Sequence, residues 1–160
     1  MKIGIFYGTK TQTTETCAKE LANLLPNSHL INLNFDYLDV DDFDFIVIGS
    51  NVRLGKINKN VKKFLKKNKS KLYNKKVAYF LCNVFQNKTL ATFKRNLDPK
   101  LYNRAQIIKS FGGEIALEKQ KGIDKFISKV ILKLKTFEKT GIDYNAISEF
   151  AREIKEIGIR

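Results

Sequence analysis

Between Tyr7 and Ala18 the chain reads YGTKTQTTETCA, five threonines in twelve residues, directly after the apolar run IGIF. Hydroxyls gathered where a buried strand ends and a helix begins suit one kind of chemistry, the enclosure of a terminal phosphate. First-turn N–H groups and the helix dipole attract an anion to that end of a helix, and threonine side chains add further donors. The segment has neither the G-x-x-x-x-G-K-[ST] pattern of a nucleotide P-loop nor the G-x-G-x-x-G of a dinucleotide site. A monoester phosphate is the ligand these residues fit, and a threonine-rich helix cap is the competing reading.

Hydrolytic and metal chemistry find little support. His29 is the only histidine and lies in an apolar strand context. Asp36, Asp39, Asp41, Asp42 and Asp44 crowd one stretch without histidines or a regular ligand spacing, so no metal site is expected. Cys17 and Cys82 are far apart in sequence, which suggests two reduced packing residues and no disulfide framework. A receiver-type signalling domain would need acids after the first strand, where this chain has Gly8 and Thr9.

The elements that must position the threonines follow from hydrophobic patterning. Lys2 to Tyr7 reads as a buried strand, followed by a helix with Cys17, Leu21, Leu24 and Leu25 on one face until Pro26 stops it. HLINL is a second strand, FIVIGS a third covered on both faces, KKVAYFLCNV a fourth and FGGEIAL a fifth. Helices are expected with Ile57, Val61, Phe64 and Leu65 on one face, from Asp98 and Pro99 through KLYNRAQIIKS, along Phe126 to Phe137, and with Ile147, Phe150, Ala151, Ile154 and Ile157 before Gly158. Alternating strands and helices predict an α/β fold with a doubly wound parallel sheet, one domain spanning residues 1–160. Ligands of such sheets lie beyond the carboxyl ends of the strands. The loops Gly8 to Thr14, Ser50 to Lys56 and Asn83 to Thr89 are then the candidate site.

Charge is unevenly placed. The 160 residues carry a net charge of +14, from 30 Lys and Arg against 16 Asp and Glu. Phe45 to Leu97 holds fourteen Lys and Arg and no acid, so the whole excess lies there as either a solvated surface or a basic docking face. The N-terminus lacks the apolar core and cleavage site of a signal peptide and no run reaches membrane-spanning length, so a cytoplasmic location is expected. No recognised nucleic-acid motif is present and no nucleic acid partner is expected.

The segment IFYGTKTQTTETCAKEL resembles the signature of the flavodoxin family: an apolar residue, an aromatic, a Ser/Thr-rich phosphate loop, then a helix with a small residue. The resemblance implies a flavodoxin-like five-stranded sheet in the order 2-1-3-4-5 with helices on both faces, and FMN as cofactor. It further implies that Thr9, Thr11, Thr13 and Thr14 hold the FMN phosphate, with backbone N–H groups from Lys10 and Gln12. Gln12 stands where the family usually has a small residue, so its side chain must point outward or the loop must shift.

The blocks VIGSNVRLGKINKNVKKFLKKN, AYFLCNVFQNK, SFGGEI, IDKF and IDYNAISEFAREI are similar, in the same order, to those of the menaquinone-dependent protoporphyrinogen dehydrogenase family. That likeness implies electrons passing from a reduced substrate through FMN to a quinone, at the inner face of an anionic membrane to which the protein attaches peripherally. It also implies that Asn51, Val52, Arg53, Leu54 and Gly55 flank the isoalloxazine ring together with Asn83, Val84 and Phe85. Arg53 is then the candidate catalytic residue, since a cation near the pyrimidine end of the ring would stabilise the anionic reduced flavin. Leu54 replaces an aromatic, and ALEKQKG an aromatic, arginine-rich segment. A soluble electron carrier that docks acidic redox partners stands beside this as the second reading.

Overall fold

The computed structural model describes residues 1–113 and 141–159. Five strands form one parallel sheet in the order β2-β1-β3-β5-β6: β1 (Ile3–Gly8), β2 (Ser28–Asn32), β3 (Phe45–Arg53), β5 (Lys76–Cys82) and β6 (Ile107–Ser110). This is the predicted 2-1-3-4-5 order, counted over the parallel strands. The short β4 (Lys56–Ile57) folds back antiparallel on β3, and a separate pair joins β7 (Gly112–Gly113) to β8 (Gly141–Ile142).

Both faces of the sheet are buried, which explains why its central strands are apolar without interruption. Successive side chains point to opposite faces. On one face Ile3, Ile5, Tyr7, Phe45, Val47, Ala78 and Phe80 pack under α1 (Gln12–Leu24) and α6 (Tyr144–Ile159). Phe111 joins them, stacked on Phe80 at 4.5 Å and edge-on to Phe150 at 5.2 Å, so α6 is anchored through aromatic contacts. On the other face Phe6, Ile46, Ile48, Val77, Tyr79 and Leu81 pack under α2 (Lys59–Lys67), α3 (Lys69–Leu72), α4 (Thr89–Asn96) and α5 (Pro99–Asn103).

Three sequence expectations need correction. The fifth parallel strand is Ile107–Ser110 and not FGGEIAL, of which Gly112–Gly113 pair with β8. Accordingly the helix begun at Asp98 ends at Asn103, and IIKS is strand. Asp98 does cap that helix, accepting from the Lys100 N–H at 3.0 Å, but an N-cap fixes only where a helix starts. The Ile107 and Ile108 pair gains more by extending the sheet beside β5. The last helix also runs through Gly158 to Ile159. The stripe from Phe126 to Phe137 and the segments ALEKQKG and IDKF lie outside the described residues.

Candidate functional site at the strand ends

Since β1 leads to α1 on one face and β3 leads to α2 on the other, the connections leave these neighbouring parallel strands toward opposite faces of the sheet. The carboxyl ends of β1, β3 and β5 therefore bring the three loops together at the switch point, where crevices form in such sheets.

The threonine loop is closed on itself. Thr11 N–H donates to Thr9 Oγ1 at 3.0 Å, and the Thr9 hydroxyl donates to the Thr11 carbonyl. Asn34 Nδ2 donates to the Thr9 carbonyl at 2.8 Å, while Asn34 Oδ1 accepts from Asn60 at 2.7 Å, which ties the loop to α2. A Cβ on Gly8 would lie 2.7 Å from Val61 and 2.9 Å from Asn58 Oδ1, so only glycine allows α2 to approach this closely. Thr11 occupies the N-cap of α1 without a side-chain cap bond. Lys10 and Gln12 are exposed, Thr9 and Thr13 are buried, and the Gln12 side chain points outward.

Thr14 is the decisive residue of this loop. It is 0% exposed, and its hydroxyl has no hydrogen-bond partner. A buried hydroxyl left unbonded costs about 1–3 kcal/mol. The uncapped helix end together with this orphan donor fits an anion seated at the first turn of α1. Burial first, and then the Cys17 thiol, push the Cys82 thiol pKa up, and the nearby Thr14 hydroxyl pulls it the other way without reaching bonding geometry.

The second loop is a tight hairpin that sequence reading missed. Val52 pairs with Ile57 and Arg53 with Lys56, leaving Leu54 (φ +50°) and Gly55 (φ +71°) as a two-residue turn with both residues left-handed. Gly55 suits that turn, whereas Leu54 bears a steric cost there. Asn96 clamps the hairpin to α4, donating to the Gly55 carbonyl at 2.8 Å. Asn58 caps α2 by accepting from Asn60 N–H at 2.9 Å, donates to Asn51 Oδ1 at 3.1 Å, and takes its own N–H to Ser50 Oγ at 2.8 Å.

Beside the hairpin lies an open cleft of about 310 Å³ lined by Lys10, Asn51, Arg53, Leu54, Lys56, Ile57, Asn58 and Lys59. It brings Lys10 of the first loop against Asn51, Arg53 and Leu54 of the second. Ile57, Asn58 and Lys59 were missed as lining residues, although Asn58 was detectable as an N-cap before a helical run. Four of the eight are cations and none is acidic, so the cleft favours anions.

The third loop contributes no residue to the lining of this cleft. The buried Asn83 side chain donates to the Phe85 carbonyl at 2.6 Å and accepts from Thr89 at 3.2 Å and Ser110 at 2.8 Å, so it is committed to shaping the loop. Val84 and Phe85 are half-buried, and Lys88 Nζ lies over the Phe85 ring, 5.2 Å from its centroid. Among the described residues there is no cluster of His, Cys, Asp and Glu able to hold a metal, and no helix long and apolar enough to cross a membrane.

A family model described as a flavodoxin domain matches residues 4–140. The chain belongs to the flavodoxin domain family. Among solved structures, flavodoxin 2 of Bacillus cereus superposes with a TM-score of 0.61 at 19% identity, covering 98% of this chain and 99% of that one. A Fusobacterium nucleatum flavodoxin bound to flavin mononucleotide gives 0.57 at 17% identity, covering 98% of each. A Lactobacillus acidophilus flavoprotein in complex with FMN gives 0.52 at 19% identity, covering 70% of this chain and 91% of that one. At these identities the likeness is one of fold. No curated protein matches the sequence. In this flavodoxin domain the threonine loop and the β3–β4 hairpin are the two segments that the cleft joins.

Proposed function

We propose that this flavodoxin domain, a single unit over residues 1–160, binds FMN at the strand ends and transfers electrons between redox partners. The buried, unbonded Thr14 hydroxyl at an uncapped helix end carries this reading, because a phosphate placed there would satisfy it. Thr9, Thr11, Thr13 and Thr14, with N–H groups of Lys10 and Gln12, would hold the phosphate. Asn51, Val52, Arg53, Leu54 and Gly55, with Asn83, Val84 and Phe85, would border the ring, although the Asn83 side chain is already engaged and offers mainly its backbone. FMN supplies the electron chemistry when bound, and the chain supplies orientation, burial and charge. The cations at Lys10, Arg53, Lys56 and Lys59 favour a bound group that gains negative charge, which suits oxidation of a substrate.

Purified protein mixed with FMN and passed through gel filtration is expected to keep a bound flavin absorption spectrum. Protein that elutes colourless after mixing would refute the reading.

The cationic cleft favours a finer form of the same function, an oxidoreductase of the protoporphyrinogen dehydrogenase type with Arg53 in the catalytic role and a quinone as acceptor. The basic segment would then rest against the anionic inner face of the cell membrane, each lysine near the surface contributing about 1 kcal/mol. Anaerobic porphyrinogen with FMN-loaded protein and a quinone should yield fluorescent porphyrin; no porphyrin above the protein-free rate leaves the electron-carrier form.

A further inference from the structure

The positive charge of this chain has a definite place in the fold. Of the fourteen cations between Phe45 and Leu97, Lys69 pairs with Asp98, and Lys71 and Lys75 pair with acids of the Asp39 to Asp41 stretch. Lys59, Lys62, Lys63 and Lys66 are different. They recur at helical spacing along the exposed side of α2, opposite the buried Val61, Phe64 and Leu65, and have no carboxylate partner among the described residues. The stripe starts at the cleft, which Lys59 lines together with Lys56. Across the hairpin, Arg95 of α4 approaches Gly55 within 3.1 Å of where a Cβ would sit, and Lys94 is exposed beside it.

Between the two groups of cations stands Leu54, 67% exposed at the hairpin tip, with Leu90 of α4 56% exposed. Asn96 fixes this tip to α4, so the apolar residue is presented by a rigid turn. An exposed leucine flanked on two sides by cations is suited to docking: the leucine is desolvated on contact, and the charges steer and orient the partner. At the hairpin tip the exposed apolar residues are Leu54 and Leu90, whereas the exposed aromatic Tyr37 lies under Lys67 at the other end of α2, so the aromatic anchors favoured at a bilayer interface are not grouped with the cleft.

We propose that the face formed by Leu54, Lys56, Lys59, Lys62, Lys63 and Arg95 docks the acidic surface of a protein electron-transfer partner at the mouth of the cleft. The proposal rests on the electron-transfer reading above and adds the partner's charge and its docking position. With reduced FMN bound, each encounter would pass one electron to the partner's redox group, oxidising the flavin by one electron and reducing the partner by one.

The test measures binding of two acidic redox proteins, a blue-copper protein and a [2Fe–2S] ferredoxin, at 20 and 300 mM salt. It is run with and without FMN on wild type, on Lys59→Glu/Lys62→Glu/Lys63→Glu, and on a control of equal charge change, Lys76→Glu/Lys100→Glu/Lys155→Glu. Circular dichroism checks that each variant folds. At least one acidic protein is expected to bind at low salt, with affinity falling at least tenfold on the α2 reversals, in line with steering by close charges, and less than threefold on the control. Equal losses in both variants, or no salt-dependent binding of either protein, overturn the proposal. Vesicles with 30% phosphatidylserine that bind wild type but not the α2 variant, while neither acidic protein binds, assign the face to lipid and also overturn it. Docking by protein that retains no FMN would refute the cofactor reading alone, and FMN retention without docking would refute this proposal alone.

Discussion

Valine at position 14 would preserve the shape of threonine while removing a hydroxyl that is buried and has no partner. Without FMN, Thr14→Val should therefore stabilise the protein by about 1–2 kcal/mol, read as a higher urea midpoint at unchanged slope. A lower midpoint would mean that the hydroxyl is bonded in solution. Leu54 offers a second residue-scale case. Its backbone is left-handed at φ +50°, a conformation costing a leucine about 1–2 kcal/mol and tolerated far better by asparagine. Leu54→Asn should gain about 1 kcal/mol in urea denaturation, since the exposed leucine has little packing to lose; an unchanged or lower midpoint would contradict the turn as described.

Asn58 acts at the scale of elements, joining the end of β3 to the start of α2 through Ser50, Asn51 and Asn60. Asn58→Ala removes the helix cap and leaves Asn51 without its donor, for an expected loss of about 1–2 kcal/mol, while Asn58→Asp should keep the cap and lose less. Equal losses from the two substitutions would argue against capping. Elements also explain what could be read in the sequence. β1, β3 and β5 were legible because strands covered on both faces must be apolar throughout, and their ends located the three loops. The last parallel strand was misplaced because Asp98 and Pro99 mark a helix start, whereas nothing local marks its end at Asn103. The Leu54–Gly55 hairpin was missed for a related reason: leucine is not a turn signature, and the turn is held by Asn96 from a distant helix. The threonine loop was visible as composition, but its attachment through Asn34 and Asn60 and the isolation of the Thr14 hydroxyl are tertiary facts.

For the molecule as a whole, a net charge of +14 sets up self-repulsion that salt should relieve. Raising sodium chloride from 20 to 300 mM is expected to raise the melting temperature of the FMN-free protein, and a fall would mean that its ion pairs outweigh the repulsion. Acid should act in the opposite direction. Asp39 is held below the usual carboxylate range, first by the Asp41 backbone N–H and then by Lys71, and Asp98 first by Lys69. Carboxyls depressed in the folded state contribute stability above the unfolded value near 3.9 and lose it as pH falls through their lower folded values. Stability should thus drop below about pH 4, and less steeply in Asp39→Asn/Asp98→Asn; identical acid profiles would contradict those contacts. Riboflavin, which is FMN without its phosphate, shows most directly whether a phosphate sits against Thr14. Titration of the protein with FMN and with riboflavin, followed by flavin fluorescence, should show Thr14→Val weakening FMN by about 10- to 100-fold and riboflavin hardly at all, as expected for losing a hydrogen bond to a charged group. Equal weakening of both ligands, or of neither, would contradict the claim.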